Sequence, residues 1–236
     1  MTRPHPNPLP KGEGVKTIVI TGATGVLGNL VAKTFAKHGH KIALLDKDQV
    51  KMDSLTQDLN LPTDRLYAQT IDLLDAQALH DSAEAVLSKL GSVHALFHLV
   101  GGWTGGKAIV ETPQADLEFM LNQHVRTTFN LFQAFSTPLS SNGWGRVIVI
   151  SASTVINPPG KSSAYTAAKA AQENLVLSLA AELKQSGVTA NIIQVKAIDI
   201  ENKGTGTSPA EIVSNMMYLF SEDANKINGA RLPLYG

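Results

Sequence analysis

The sequence contains no cysteine, and its 20 Lys and Arg residues balance 20 Asp and Glu residues to give no formal net charge. The absence of cysteine excludes disulfides, thiolate nucleophiles and zinc sites built on thiolates. A neutral chain lacks the positive excess with which proteins bind nucleic-acid phosphates or an anionic membrane. We therefore expect no nucleic-acid partner and no membrane partner.

Long apolar runs are also missing. No stretch approaches the roughly 20 residues that a membrane-spanning helix needs, and no charged-then-apolar signal peptide opens the chain. The seven histidines are scattered at spacings that suggest no metal site. A cytoplasmic location and a small-molecule substrate are the resulting expectations.

The opening segment, residues 1–14, differs from the rest in composition. It contains four prolines and two glycines and has little to bury, so we expect a disordered tail. Residues 15–236 have the length of one α/β unit, and an apolar content of 43% suffices for a sizeable core. We predict a single domain over residues 15–236.

From residue 16 onwards, short apolar runs alternate with segments of helical periodicity. This alternation predicts right-handed βαβ crossovers and a doubly wound parallel sheet of the Rossmann type, an α/β fold. Two long helices are expected at about 115–137 and 163–185. The predicted strands are 16–21, 41–45, 65–70, 94–100, 146–151, 188–195 and 230–235.

The first predicted strand runs directly into TGATGVLG, residues 21–28, in which three glycines are spaced three apart. In this context the glycines allow a tight turn, close approach of a pyrophosphate and close packing of the following helix. The helix amino terminus then offers free amides to the phosphates. The alternative is a plain tight turn. The predicted dinucleotide-binding residues here are Gly22, Thr24, Gly25, Val26, Leu27 and Gly28.

Asp46 ends the second predicted strand, 24 positions after Gly22. A carboxylate there can accept both adenosine ribose hydroxyls and repels a 2′-phosphate, which favours NAD(H) over NADP(H). Lys47 weakens that preference, so NADP(H) stays possible, and the alternative for Asp46 is a cap of the next helix. Asp72 is expected near the adenine, or as a cap of the helix near residue 75. The further predicted cofactor contacts are Leu73, Val100 and Gly101.

Tyr165 and Lys169 stand four positions apart in AYTAAKAA, residues 164–171, and therefore share one helix face. A phenol has a pKa near 10, which an adjacent ammonium lowers. Tyr165 can then protonate a carbonyl oxygen or deprotonate an alcohol. The pair is common by itself, and it gains weight from the glycine turn upstream.

Together, TGATGVLG, Asp46, Asp72, Asn122, the SAS segment (151–153) and YTAAK (165–169) resemble the short-chain dehydrogenase/reductase family over about residues 16–236. The resemblance implies a seven-stranded Rossmann sheet and catalysis by serine, tyrosine, lysine and asparagine. It also implies a homodimer or homotetramer packed through the helices at 115–137 and 163–185.

Carried over by position, Tyr165 is the acid–base and Lys169 binds the ribose and lowers the pKa of the tyrosine. Asn122 matches the asparagine that holds a proton-relay water, with an ordinary helical asparagine as the alternative. The family serine usually precedes the tyrosine by 13 residues, and that position is Ala152 here. We choose Ser153; Ser151, or neither hydroxyl, remains open.

Residues 101–106, GGWTGG, are similar to a segment of the quinonoid dihydropteridine reductases, a divergent branch of the family. The expected function is an NAD(P)-dependent oxidoreductase that prefers NADH and acts on a carbonyl or secondary alcohol. A dihydropteridine reductase-like enzyme is the alternative. A dinucleotide-binding regulator without turnover is a further one.

Overall fold

The computed structural model describes residues 14–201 and 203–235. The predicted disordered tail, apart from Gly14, lies outside the described residues. The predicted domain begins at residue 15, two residues before β1 starts at Thr17.

Seven strands of the described chain form one sheet in the order β3-β2-β1-β4-β5-β6-β7, and every neighbouring pair is parallel. This confirms the doubly wound Rossmann prediction. The strands are β1 Thr17–Thr21, β2 Lys41–Asp46, β3 Leu66–Thr70, β4 Ala95–His98, β5 Gly145–Ala152, β6 Val188–Val195 and β7 Arg231–Pro233.

Helices pack on both faces of this sheet. The long helix predicted at 115–137 is three segments, because α4 and α5 are joined by a π-helical stretch, Leu121–Arg126. The helices are α1 Val26–Lys37, α2 Gln49–Leu59, α3 Ala76–Leu90, α4 Gln114–Met120, α5 Thr127–Ser140, α6 Ser163–Glu182 and α7 Pro209–Phe220.

The core has two main layers because successive strand residues point to opposite faces. Ile18 and Ile20 of β1 pack with Phe35 of α1 and Met216 of α7 on one face. Val19 faces the other way, into a cluster that includes residues of α3, α5 and α6. Strands buried on both faces explain why the strand segments are continuous apolar runs.

The strand order reverses at β1, which lies between β2 and β4. The chain runs outwards from β1 to β3 and then returns to β4, so the loops after β1 and β4 diverge at the carboxyl edge of the sheet. Such a switch point opens a crevice where ligands bind in this fold class. The glycine turn and the segment after β4 both lie there.

Candidate active site and dinucleotide groove

The glycine turn between β1 and α1 has the close contacts that its spacing predicts. Gly22 has φ +69°, and a Cβ there would lie 2.9 Å from the Leu99 carbonyl carbon. A Cβ on Gly28 would lie 2.2 Å from the Gly22 carbonyl oxygen. Gly22 therefore allows the loop after β4 to approach, and Gly28 allows α1 to pack under the turn.

The amino terminus of α1 is open to a ligand. Gly25 is its N-cap, and within the described chain no side chain accepts a hydrogen bond from the first turn, which also contains no acidic residue. Free amides and a positive helix end at a glycine-rich turn suit the pyrophosphate of a dinucleotide. These residues fit the cofactor that the turn predicts.

Asp46, at the end of β2, is joined to the same turn. Its Oδ2 accepts the Thr24 amide at 2.9 Å, and its Oδ1 accepts the Lys47 amide at 2.7 Å. The cap of α2 is Asp48, so the capping alternative for Asp46 is wrong. The carboxylate instead ties the glycine turn to β2 beside the groove.

Asp72 is exposed at the start of the loop after β3, where its Oδ1 accepts the Leu74 amide at 3.0 Å. The capping alternative is wrong here too, because Asp75 caps α3 by accepting the Ala78 amide. The adenine role of Asp72 stays a prediction.

A groove of about 540 Å³ runs along the switch point. Three predicted residues of the turn, Val26, Leu27 and Gly28, are not on its wall. Val26 is half exposed, and Gly28 is buried beneath the turn. Leu27 instead lines the adjoining cavity described below. The predicted cofactor residues that the groove does bring together are Gly22, Thr24, Gly25, Asp46, Asp72, Leu73, Val100 and Gly101.

Tyr165 and Lys169 lie on the first two turns of α6. Ala164 and Ala168 are buried against Met120, so the small side chains bring this helix close to α4. Lys169 is 4% exposed, and its Nζ donates to the Ile150 carbonyl and to Gln172 Oε1, both at 2.9 Å. The helix thus presents a partly buried phenol above a buried amine.

The electrostatics of this pair differ from the sequence expectation. Burial raises the pKa of Tyr165 above its ordinary value. Burial also lowers the pKa of Lys169 to about 7, while the charge of Glu173 opposes that shift. The predicted lowering of the Tyr165 pKa by Lys169 is therefore wrong for this structure, because desolvation dominates and the amine is held by Ile150 and Gln172.

A second cavity, of about 310 Å³, adjoins the groove, since Leu99, Val100 and Gly101 line both. Tyr165 and Lys169 form part of its wall, and Trp103 lies at it with 63% of its surface exposed. The groove and the Tyr165 cavity therefore lie next to each other along the backbone of residues 99–101.

The predicted proton-relay asparagine does not lie in this cavity. Asn122 belongs to the π-helical stretch, and its Oδ1 accepts a hydrogen bond from Arg126 Nη1. It lines the groove instead. His124, two residues later, is the residue beside Tyr165: their ring centroids are 5.6 Å apart. The structure places Asn122 on the groove wall, and its proton-relay role stays a prediction.

The predicted serine also falls elsewhere. The cavity wall contains Ser151 and Ala152, whereas Ser153 is outside it, in a short 3₁₀ turn. The Ser151 hydroxyl is buried without a hydrogen-bond partner in the described chain. Ala152, 13 residues before Tyr165, adds a methyl group to the cavity wall. Ser153, the serine chosen from the sequence, does not line this cavity.

One buried residue, Gln172, was not singled out by sequence. Gln172 links Lys169 to Thr128, whose Oγ1 donates to the His124 carbonyl at 2.6 Å. A polar residue on the buried face of a helix is the signal that identifies Gln172. His98 is buried and bonds Thr21 Oγ1 at 2.7 Å, a structural role. The described residues contain no group of three or more metal-ligating side chains.

The profile of the short chain dehydrogenase family matches residues 16–208. The chain belongs to the short chain dehydrogenase family. With that family come NAD(P)-dependent oxidoreductase chemistry and a small-molecule substrate. The described helices include none long and apolar enough to cross a membrane.

Relatives in this family agree over nearly the full chain. The sequence is 26% identical to the 7alpha-hydroxysteroid dehydrogenase of Escherichia coli over 94% of this chain and 93% of that one. It is 26% identical to the 3-oxoacyl-[acyl-carrier-protein] reductase MabA of Mycobacterium tuberculosis, over 94% and 92%. The structure of sorbitol-6-phosphate 2-dehydrogenase from Erwinia amylovora superimposes with a TM-score of 0.83 at 20% identity, over 93% of this chain and 98% of that one.

Proposed function

We propose that this chain is an NADH-preferring reductase of ketones, with Tyr165 as the proton donor. One observation carries the proposal. The cavity at Tyr165 and Lys169 adjoins the groove at the glycine turn, and Leu99, Val100 and Gly101 line both. We expect a dinucleotide held at the turn to extend along this backbone towards the phenol.

The chain's own residues supply binding and proton transfer. Gly22 and Gly25 admit the pyrophosphate, and the α1 amino terminus stabilises its charge. When bound, the nicotinamide supplies or accepts the hydride. Tyr165 holds a proton at its Oη where the substrate oxygen becomes negative.

The raised pKa of Tyr165 bears on its protonation state. A phenol whose pKa lies above 10 is protonated throughout the neutral range, which is the form that carbonyl reduction requires. Lys169, whose pKa is about 7, exchanges its proton readily at neutral pH. Its Nζ is held in place by Ile150 and Gln172.

The preference for NADH rests on Asp46. Its carboxylate lies on the groove wall and is held in place by two backbone amides. A 2′-phosphate at the adenosine ribose would meet this negative charge. Lys47 lines the same groove and weakens the discrimination.

The acceptor class follows from the cavity and the relatives. Trp103 offers an exposed aromatic surface at the cavity mouth. The two curated relatives are named for a hydroxysteroid and for a 3-oxoacyl thioester, so ketones of these two kinds come first. Trp103 together with Ala152 also favours a quinonoid dihydropterin as the second candidate acceptor.

The test is NADH oxidation by the purified protein with steroid ketones, 3-oxoacyl thioesters and quinonoid dihydropterin, beside Tyr165→Phe. We expect turnover of a ketone with the parent chain. The variant should lose at least about a hundredfold in kcat, because the general acid is removed, and should keep its affinity for NADH.

The outcome separates the candidates. Turnover of quinonoid dihydropterin alone would identify a dihydropteridine reductase-like enzyme. NADH binding without turnover of any acceptor favours a dinucleotide-binding regulator. Undiminished turnover by Tyr165→Phe contradicts the role of Tyr165. A cytoplasmic location and a homodimer or homotetramer remain part of this proposal, and light scattering tests the assembly.

A further inference from the structure

His124 is a fully buried histidine at the Tyr165 cavity, with 0% of its surface exposed. Its Nε2 lies 3.0 Å from the Gly102 carbonyl oxygen. A carbonyl oxygen only accepts hydrogen bonds, so Nε2 carries the proton and Nδ1 does not. Burial lowers the pKa of His124 to about 3, which keeps the ring neutral.

The ring makes a second contact, to Tyr165. The two ring centroids are 5.6 Å apart and the planes meet at 77°, an edge-to-face arrangement. Such pairs stabilise beyond the area they bury. One side chain therefore contacts the proposed proton donor and also the backbone of the glycine-rich loop, residues 101–106.

The local backbone explains why the residue at position 124 can do both. His124 lies in the π-helical stretch between α4 and α5, where the wider turn changes which side chains face the cavity. Gln123 packs on the same loop, since a Cβ on Gly102 would lie 3.2 Å from Gln123 Nε2. π-helical turns are frequent at functional sites.

We propose that His124 is a positioning residue that fixes the Tyr165 ring and the glycine-rich loop relative to each other. The proposal rests on the proposed function, because Tyr165 is there the proton donor. His124 touches the phenol ring through its own ring and the loop through Nε2–H. These are separable contacts, and each can be removed without the other.

Two variants separate them. His124→Phe keeps an aromatic ring beside Tyr165 and loses the donor to the Gly102 carbonyl. His124→Gln keeps a donor at the position of Nε2 and loses the ring. We expect the glycine-rich loop to become more mobile in His124→Phe. We expect the Tyr165 side chain to become more mobile in His124→Gln.

The state of the phenol is measured without any substrate. Tyrosinate absorbance is titrated in the parent chain and in both variants, each against the same chain with Tyr165→Phe as the blank. We expect His124→Gln to lower the pKa of Tyr165 by about half a unit or more, because water replaces the ring. His124→Phe should leave it unchanged. Lys169 and Lys196 are the other titratable side chains on the cavity wall besides His124.

The state of the loop is measured by tryptic cleavage after Lys107, which directly follows the glycine-rich loop and is half exposed. Loss of one hydrogen bond predicts roughly fivefold faster cleavage in His124→Phe. His124→Gln should be cut at the parent rate. Cleavage after Arg146, which is buried in β5, reports global unfolding and serves as the control.

The crossed pattern supports the proposal: each variant moves one readout and leaves the other in place. Equal effects of both variants on both readouts, or no effect of either, overturn it. Each variant tests one contact, so a failure of one to fold leaves the other decisive. Because neither readout needs turnover, an inactive protein would contradict the proposed function and leave this result intact.

Discussion

Gly25 and Gly28 differ in what surrounds them, although they stand three residues apart in one motif. A Cβ on Gly25 would lie 3.4 Å from the Gly22 carbonyl oxygen, an ordinary contact. A Cβ on Gly28 would lie 2.2 Å from the same oxygen and 2.8 Å from the Ala23 Cα, both rigid backbone atoms. A side chain therefore fits at Gly25 and does not fit at Gly28, where the packing of α1 under the turn requires glycine.

Gly25→Ala and Gly28→Ala should therefore behave differently. We expect Gly28→Ala to lower the free energy of unfolding by about 2 kcal/mol or more, because the backbone must shift. Gly25→Ala should cost less than about 1 kcal/mol in stability and still weaken NADH binding by at least about tenfold, since its methyl group meets the pyrophosphate. Urea unfolding and NADH fluorescence titration measure the two effects. Equal stability of both variants would contradict the packing role of Gly28.

The exchange of Asp46 for asparagine tests the coenzyme preference. Asparagine keeps one carbonyl oxygen for the Thr24 or Lys47 amide and removes the charge. We expect the ratio of NADPH to NADH affinity to rise by about tenfold, because repulsion of the 2′-phosphate is lost. Lys47→Ala is the opposite control and should lower that ratio. An unchanged ratio in Asp46→Asn would assign the discrimination to other residues.

Individual residues were predictable where their role depends on chain geometry that the sequence encodes directly. Gly22 has the positive φ that a turn of this kind requires. Tyr165 and Lys169 are on one helix because their segment is a regular α-helix. Ser153 was misplaced because its side-chain direction depends on where β5 ends and a 3₁₀ turn begins.

At the scale of the element, the stretch from α4 to α5 is the clearest departure from the sequence prediction. The apolar periodicity of residues 115–137 indicates a helix and carries no signal for a change from i→i+4 to i→i+5 hydrogen bonding. Inside that stretch Asn122 turns towards Arg126, and His124 turns towards Tyr165. Which of these side chains faces the Tyr165 cavity therefore depends on a π-helical turn that the sequence does not signal.

Glu173, on the buried face of α6, is a charged residue that affects the pKa of Lys169. Glu173 is 0% exposed and accepts hydrogen bonds from Gln194 Nε2 at 2.8 Å and Arg231 Nε at 2.6 Å. Its negative charge raises the pKa of Lys169 and so opposes the effect of burial. Strands β6 and β7, which hold Glu173 in place, thereby help to set the protonation of Lys169, one helical turn away on the same buried face of α6.

Glu173→Gln should lower the pKa of Lys169 further below its present value of about 7, because the opposing charge is removed and burial remains. If the charged amine binds the cofactor ribose, NADH affinity declines as pH rises through this pKa. We expect the midpoint of that decline to move to lower pH in Glu173→Gln. Glu182→Gln, the same change at the exposed end of α6, is the control. An unmoved midpoint would show that Glu173 does not act on Lys169.

At the scale of the whole molecule, acid stability depends on buried histidines. Burial lowers the pKa of both His98 and His124 to about 3, against an ordinary value of 6.5. Between these two values the unfolded chain binds more protons than the folded one. Stability is therefore complete above pH 6.5 and is lost progressively as the pH falls towards 3.

We expect the free energy of unfolding to fall by about 2 kcal/mol for each of these two histidines between pH 6.5 and pH 5.0. Urea unfolding at the two pH values measures the loss. His98→Asn should reduce the loss, because one buried titrating ring is removed. His80→Asn should not, since the His80 side chain is 60% exposed. The same pH dependence in the parent chain and in His98→Asn would contradict this account.

The global topology followed from the sequence because strand–helix alternation leaves few ways to connect a parallel sheet. Each predicted strand segment overlaps an observed strand, and the sheet order places the glycine turn at the switch point. The cavity walls were less predictable. They are built by loops after β4, β5 and β6, whose course depends on tertiary contacts such as the Gly106 amide bonding the Lys161 carbonyl.

The central position of β1 has a consequence for how the protein is made. Its pairing with β4 joins Thr21 to His98, 77 positions later. While the ribosome is still adding residues before Ala95, β1 has an unpaired edge that can recruit other nascent chains. Gly22 then also lacks the Leu99 backbone against which it packs. The groove at the glycine turn is therefore complete only after Leu99 has emerged, so a ligand of this groove cannot assist folding during the first part of synthesis.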